Sequence, residues 1–305
     1  MKERKISEES DFEDFEKYPT FVTIGIPKEQ FEGERRVAIS PTQVKKFIKV
    51  GFQIRVESGA GEGCGWTDAL YEKCGAEIVS AEQAWESDIV CKIRIPMLNK
   101  DLDIHETELA GKAGWLISYI YPAQNKKIYE DLQKHKNLSV FALECIPRIT
   151  RAQKMDTLSS MTNVAGYRAV IEAFTSYSRY AKGQVTAAGK IDPAKVFVVG
   201  VGVAGLASIG TCVGLGAQVT AFDTRKPARE QAESLGAESI DVDVQESGEG
   251  GGGYGKVMGP EYQRAQARLF MRTIPESDIV ITTALIPGKP APKLITVQMV
   301  SLVFE

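Results

Sequence analysis

Between Lys195 and Asp223 the sequence runs as strand, glycine turn, helix, strand and acid. KVFVV (195–199) is a β-branched apolar run. GVGVAG (200–205) follows and places Gly200, Gly202 and Gly205 in the pattern G-x-G-x-x-G. A small-residue helix is predicted from about Ala204 to Leu215, and AQVTAF (217–222) leads into Asp223. Each piece has a physical reason in a βαβ unit that holds a dinucleotide. The first glycine permits the tight turn, the second lets backbone approach a pyrophosphate, and the third allows close helix–strand packing. The helix N-terminus offers free N–H groups and a positive dipole end to the phosphates. Asp223 can accept from ribose hydroxyls and would repel a 2′-phosphate, which favours NAD(H) over NADP(H). Arg225, two residues on, points the other way, because an arginine there could pair with such a phosphate. The alternative is a purely structural βαβ turn.

Composition narrows the classes. A chain of 305 residues buries a sizeable core and suits two domains. A net charge of −3 argues against nucleic acid as the main partner. The cysteines (Cys64, Cys74, Cys91, Cys145, Cys212) are scattered without CxxC spacing, so we expect free thiols rather than disulfides or a metal site. His105 and His135 are the only histidines and lie in polar surroundings, which argues against histidine-based metal or acid–base chemistry. No apolar run approaches the ~20 residues that span a bilayer. The polar, net acidic residues 1–20 lack the features of a signal or transit peptide, and a disordered tail is expected there.

Two runs of alternating strands and helices are predicted. In the first, strands fall at 21–26, 53–57, 76–79, 88–94, 115–120 and 140–144, with helices at 41–51, 67–75, 81–87 and 124–135. Pro41 suits a first helical turn with Ser40 as its N-cap. The second run opens with a helix from about Asn163 to Tyr180 and continues with strands at 195–199, 217–222, 237–243 and 277–284. The expected architecture is α/β: two Rossmann-like, doubly wound domains with a nucleotide cleft between them. We place a flavodoxin-like domain over 21–150 and a nucleotide-binding Rossmann domain over 151–305. A dinucleotide-binding sheet has about six strands. The second run supplies four, so that domain reads as C-terminally truncated, with an open edge at its last strand.

Three further segments carry candidate chemistry. RITRAQKMD (148–156) enters the second domain with Arg148, Arg151, Gln153 and Asp156. An arginine there could pair with a pyrophosphate or carboxamide oxygen, and Asp156 could orient it; a solvated inter-domain loop is the alternative. SGEGGGGYGK (247–256) is too glycine-rich for a stable helix or strand. It is either a mobile lid closing with Tyr254 or a flexible surface loop. ITTALIPGKPAP (281–292) ends a strand in a Pro/Gly turn, so Ala284 and Leu285 either line the ligand cleft or belong to a rigid turn.

Taken together, GIPKE (25–29), ERRVAIS (34–40), ESGAG (57–61), RAQKMDTLSS (151–160), GVGVAGLAS (200–208), GGYGKVM (252–258) and TTALIPGKPAP (282–292) resemble a known family. The match is to the NAD(H)-binding component of proton-translocating NAD(P) transhydrogenases, within the alanine dehydrogenase/transhydrogenase family. LISYIYPAQN (116–125) and FDTR (222–225) look closest to the mitochondrial-type fused enzyme.

The resemblance implies direct hydride transfer between NAD(H) on this chain and NADP(H) on a partner component, coupled to proton movement through a membrane component. It places Arg148, Gln153, Asp156 and Ser159 at the nicotinamide, with Gln153 as the bridge towards the partner's nucleotide. Val203 and Gly205 go to the pyrophosphate, and Asp223, Thr224 and Arg225 to the adenosine ribose. Gly253, Tyr254 and Gln266 go to a mobile loop and its flank, and Leu285 to the cleft edge. It also implies a homodimer that is itself soluble and becomes membrane-associated, at a mitochondrial inner or plasma membrane, when assembled.

Alanine dehydrogenase is the alternative within the family, but it needs a substrate-binding lysine and an acid–base histidine. Here Arg94 stands at the lysine position, and Tyr121, whose ordinary pKa is near 10, at or near the histidine position. A non-catalytic NAD-binding module is the third reading.

Overall fold

The structure is a computed structural model and describes residues 22–244, 246–250, 255–285 and 291–301. The expected tail over 1–20 lies outside the described residues. After Pro147 the chain divides into two compact units.

The first unit contains strands β1 (Thr23–Ile26), β2 (Gln53–Glu57), β3 (Glu77–Val79) and β4 (Ile89–Cys91), then the short β5 (Leu98–Asn99) and β6 (Ile104–His105), then β7 (Trp115–Ser118) and β8 (Ser139–Ala142). Its helices are α1 (Pro41–Lys49), α2 (Asp68–Lys73), α3 (Ala81–Trp85), α4 (Glu106–Leu109) and α5 (Lys126–Gln133). Six strands form a fully parallel sheet in the order β3-β2-β1-β4-β7-β8. Counted within that sheet, the order is 3-2-1-4-5-6, the doubly wound Rossmann order and not the 2-1-3-4-5 of flavodoxins. The flavodoxin-like expectation is corrected on this point, because strand order depends on long-range pairing that periodicity does not encode. β5 and β6 form a separate antiparallel pair absent from the sequence reading. Ser40 caps α1 by accepting from the Gln43 amide, with Pro41 in the first turn as expected. Ile24, Ile26, Val44, Ile54 and Val56 form the core around β1 and β2.

In the second unit, α6 (Thr157–Ser176) leads to the antiparallel pair β9 (Gln184–Thr186) and β10 (Gly189–Ile191). There follow β11 (Lys195–Val199), α7 (Val203–Gly214), β12 (Gln218–Phe222), α8 (Lys226–Ser234), β13 (Glu238–Ser239), α9 (Pro260–Thr273), β14 (Ile279–Thr282) and α10 (Val297–Ser301). The sheet is parallel in the order β13-β12-β11-β14. Strand period explains how both of its faces are covered. Val196 and Val198 of β11 pack with Val170, Ile209 and Ala232 of α6, α7 and α8. Phe197 and Val199 pack on the other face with Tyr262 and Phe270 of α9 and Met299 of α10. Phe270 meets Phe197 and Phe222 edge to face, at centroid separations of 5.3 and 5.1 Å.

Two boundaries differ from the sequence reading. The first helix of this unit starts at Thr157, not near Asn163, and ends at Ser176. Asp156 is its N-cap: one carboxylate oxygen accepts from the Ser159 amide at 2.8 Å and the other from its hydroxyl at 2.6 Å. The third strand of the unit is two residues long rather than the expected seven.

Candidate functional site

Immediately past β11 the chain leaves the sheet at Gly200, whose φ of +95° lies in the left-handed region that glycine alone enters without strain. Thr283, just beyond β14, donates its hydroxyl to the Gly200 carbonyl at 2.7 Å and so ties the turn to the neighbouring strand. A Cβ on Gly205 would overlap the Gly200 carbonyl oxygen, so α7 packs onto the turn only with glycine there. Gly202 differs: a Cβ built on it meets no atom within 4 Å. The fold does not require a small residue at that point. The space above it is open, as backbone approach by a ligand demands.

That space belongs to a cavity of about 880 Å³ at the carboxyl ends of β11, β12 and β14. This is the crevice at which open α/β sheets bind ligands, between the strands where the order reverses. Every residue lining it lies in the second unit. It brings together Arg148, Ser159, Gly200, Gly202, Val203, Asp223, Thr224, Arg225, Gln266, Ala284 and Leu285. Arg151, Gln153, Asp156 and Gly205 are not among the lining. Arg151 and Gln153 sit exposed on a 3-10 turn (Thr150–Met155), Asp156 caps α6, and Gly205 is buried against the turn. Gly253 and Tyr254 lie outside the described residues, so neither reading of the glycine-rich loop is decided. α6 carries Leu158, Ser159 and Thr162 to the cavity because it packs tightly on α7. A Cβ on Gly166 would overlap the Ala204 carbonyl, and Ser208 donates to the Gly166 carbonyl at 3.0 Å.

Two carboxylates are held in different ways. Partial burial pushes the Asp156 carboxyl up, but the Ser159 hydroxyl and amide and the charge of Arg148 pull it further down. It therefore sits below the ordinary carboxylate range. Asp223, in the cavity lining, is buried. Its Oδ2 accepts from the Val201 amide at 2.7 Å and from Arg225 Nη2 at 2.9 Å; its Oδ1 accepts from the Arg225 amide and Nε, both at 2.9 Å. The sequence alone leaves Arg225 available to a phosphate, but in the structure its guanidinium is bound to Asp223.

Sequence reasoning missed Lys256 and Lys293, two cations in the lining, as well as Gln231, Gln263 and Thr283. Thr283 lay inside a quoted motif, but nothing in its spacing shows that its hydroxyl reaches the glycine turn. Lys256 closes the glycine-rich segment and Lys293 follows the Pro/Gly turn, but only the fold brings either of them to the cavity.

A parallel sheet with helices on both faces and an open glycine turn at its switch point defines a nucleotide-binding α/β protein of Rossmann-like architecture. The model for "Alanine dehydrogenase/PNT, N-terminal domain" matches residues 25–165, and that for the C-terminal domain matches 169–303. The chain belongs to the alanine dehydrogenase/PNT family.

It is 50% identical over 282 residues to the NAD(P) transhydrogenase subunit alpha of Cereibacter sphaeroides, covering 91% of this chain and 53% of that protein. It is 45% identical over 277 residues to the NAD(P) transhydrogenase subunit alpha of Haemophilus influenzae, again covering 91% and 53%. Alanine dehydrogenase 1 of Staphylococcus aureus is more distant, at 32% identity with 91% and 68% covered. Among solved structures, the transhydrogenase from Sinorhizobium meliloti superposes with a TM-score of 0.78 at 40% identity, covering 92% of this chain and 75% of that one. The chain thus spans about half the length of the subunit alpha relatives it matches. Among the described residues, no helix is long and apolar enough to cross a membrane.

Proposed function

We propose that this chain is the NAD(H)-binding portion of an NAD(P) transhydrogenase. The observation that carries this reading is the open space over Gly202, in a cavity lined by Asp223, Arg148 and Ser159. The amides of Gly202 and Val203 would hold the pyrophosphate at the start of α7. Asp223, Thr224 and Arg225 would surround the adenosine ribose. Arg148, Ser159, Ala284 and Leu285 would border the nicotinamide, with Asp156 fixing the Ser159 hydroxyl. Gln266 would flank the cavity from α9, and Gly253 and Tyr254 keep the cofactor-binding role that the resemblance implies. Gln153 is exposed, as a residue that meets a partner must be, and Arg151 beside it would reach the cofactor from the same exposed turn.

When bound, the dinucleotide would supply the redox chemistry, hydride exchange with a second nicotinamide on a separate NADP(H)-binding component. The chain's own residues add no general base and no covalent step. Their work is to fix the ring and exclude water, so that the two nicotinamides reach near-attack distance, roughly 3–3.5 Å. Proton translocation then belongs to a membrane component with which the assembled chain associates. A homodimer fits the exposed apolar residues of α6 and of the β9–β10 pair, among them Val164, Tyr167 and Val185, the last 86% exposed.

Mixed with a separately produced NADP(H)-binding component, the protein should reduce an NAD analogue at the expense of NADPH. A folded, NADH-binding sample that fails this assay would leave a binding module without catalysis. Alanine with NAD should yield no NADH. At the positions where an alanine dehydrogenase needs lysine and histidine stand Arg94, whose Nε donates to Glu34 at 2.7 Å, and Tyr121. Robust turnover of alanine would favour the alanine dehydrogenase reading.

A further inference from the structure

We propose that Arg225 is an internal occupant of the ribose position: its guanidinium holds the Asp223 carboxylate until an adenosine ribose displaces it. This rests on the dinucleotide reading given above and adds a mechanism of entry and selection to it.

A carboxylate offers about four lone-pair positions. On Asp223 all four are taken. Two go to backbone amides, those of Val201 and Arg225, which belong to the turn and to the chain just past β12. The other two go to Arg225 Nε and Nη2. Only these belong to a side chain that can swing away. They number two, one on each oxygen, as do the 2′- and 3′-hydroxyls of a ribose. The guanidinium also donates to the Val201 carbonyl at 3.3 Å, which holds it across the mouth of the glycine turn. Asp223 and Arg225 both line the cavity, so the exchange takes place where the ligand enters.

The same pair explains why an arginine at this position does not turn the site towards NADP(H). A 2′-phosphate could recruit Arg225 only by stripping it from a carboxylate whose side chain is 7% exposed. That carboxylate would be left buried against the phosphate with nothing but two amides to balance it. A ribose that replaces the guanidinium with two hydroxyl donors leaves no such imbalance.

The test is calorimetric titration of the wild type, Arg225→Met and Arg225→Lys with adenosine, a probe that carries the ribose without phosphate, and of the wild type with NADH. Methionine keeps the stem and removes the guanidinium; lysine keeps the charge and loses the two-pronged geometry. Both variants should bind adenosine at least about tenfold more tightly than the wild type, because the two charge-assisted contacts of Arg225 no longer have to be broken on binding. Unchanged or weaker adenosine binding in a folded variant, with NADH binding intact in the wild type, overturns the role given to Arg225. If the wild type binds neither adenosine nor NADH, the dinucleotide reading itself falls, and this inference with it. A crystal structure of the wild type with NADH decides the matter even if both variants unfold: the Arg225–Asp223 pair should be broken there, and an intact pair beside a bound ribose contradicts the proposal.

Discussion

Each unit begins with the same four-strand order, β3-β2-β1-β4 in the first and β13-β12-β11-β14 in the second, and the two treat the reversal point in opposite ways. Past β11 the chain reads Gly200-Val201-Gly202 and a cavity opens. Past β1 it reads Pro27-Lys28-Glu29, and the ends of the strands are bound together by buried charge. Lys92 lies 3.3 Å from Glu29 and 3.1 Å from Glu106, and the side chains of all three are at most 2% exposed. Glu29 also accepts from the Ile93 and Arg94 amides, and Glu106 from the Met97 amide.

One device is shared. Glu57 ends β2 and accepts from the Lys28 amide at 2.8 Å, just as Asp223, one residue past β12, accepts from the Val201 amide at 2.7 Å. An acid beside the second strand thus ties down the turn after the first strand in both units. The same strand order thus carries an open glycine turn in one unit and, in the other, a buried cluster built from Glu29 after the first strand, Lys92 after the fourth and Glu106 of α4.

The largest test of this contrast is Lys92→Met. Removing the cation leaves Glu29 and Glu106 buried together, at a cost of about 3–5 kcal/mol to the first unit. Trp66, Trp85 and Trp115 all lie in that unit, so tryptophan fluorescence in a denaturant titration follows its unfolding. Lys92→Met combined with Glu29→Gln and Glu106→Gln should recover most of the loss. A single variant as stable as the wild type would show that the cluster does not close this core.

Next come the glycines. Gly205→Ala forces a Cβ onto the Gly200 carbonyl and should cost about 1–3 kcal/mol, read by circular dichroism on heating. Gly202→Ala meets open space, so stability should stay within about 0.5 kcal/mol. Its methyl points into the cavity, however, and NADH affinity should fall about tenfold. Equal NADH affinity in Gly202→Ala and the wild type would remove the cavity from the dinucleotide reading.

The smallest effect is one of pH. Hydrogen bonds from Arg36, aided by its amide, its charge and Arg94, outweigh partial burial and bring the Glu34 pKa from the usual 4.5 down to about 2. An acid held low in the folded state adds stability that is complete above about 4.5 and lost as the pH falls towards 2. Burial pushes Glu57 and Glu106 up, which acts in the opposite sense. The difference between wild type and Glu34→Gln isolates the first contribution. Fluorescence-monitored stability of the two proteins should converge as the pH drops below 4; a constant gap would refute the assignment.

How far the sequence carries these conclusions depends on the range of the interaction. β11 was readable to the residue, because KVFVV is β-branched and a glycine turn stops it. The packing role given to Gly205 follows from its spacing alone. The start of α6 was hidden because TLSSMT has turn-like composition, and only the Asp156 cap and the packing on Ala204 make it helical. β9 and β10 form an exposed pair with no apolar alternation to announce them. Asp-Thr-Arg spacing gave the side chains at the end of β12 but not the rotamer, and the rotamer decides which partner Arg225 holds.

Whether the cavity over Gly202 takes the dinucleotide is read from a crystal structure of the protein grown with NADH. The pyrophosphate should lie against the Gly202 and Val203 amides, the ribose on Asp223 and the nicotinamide towards Arg148 and Ser159. NADH bound at the β1–β4 end of the first unit, or the cavity left unfilled, would contradict the account.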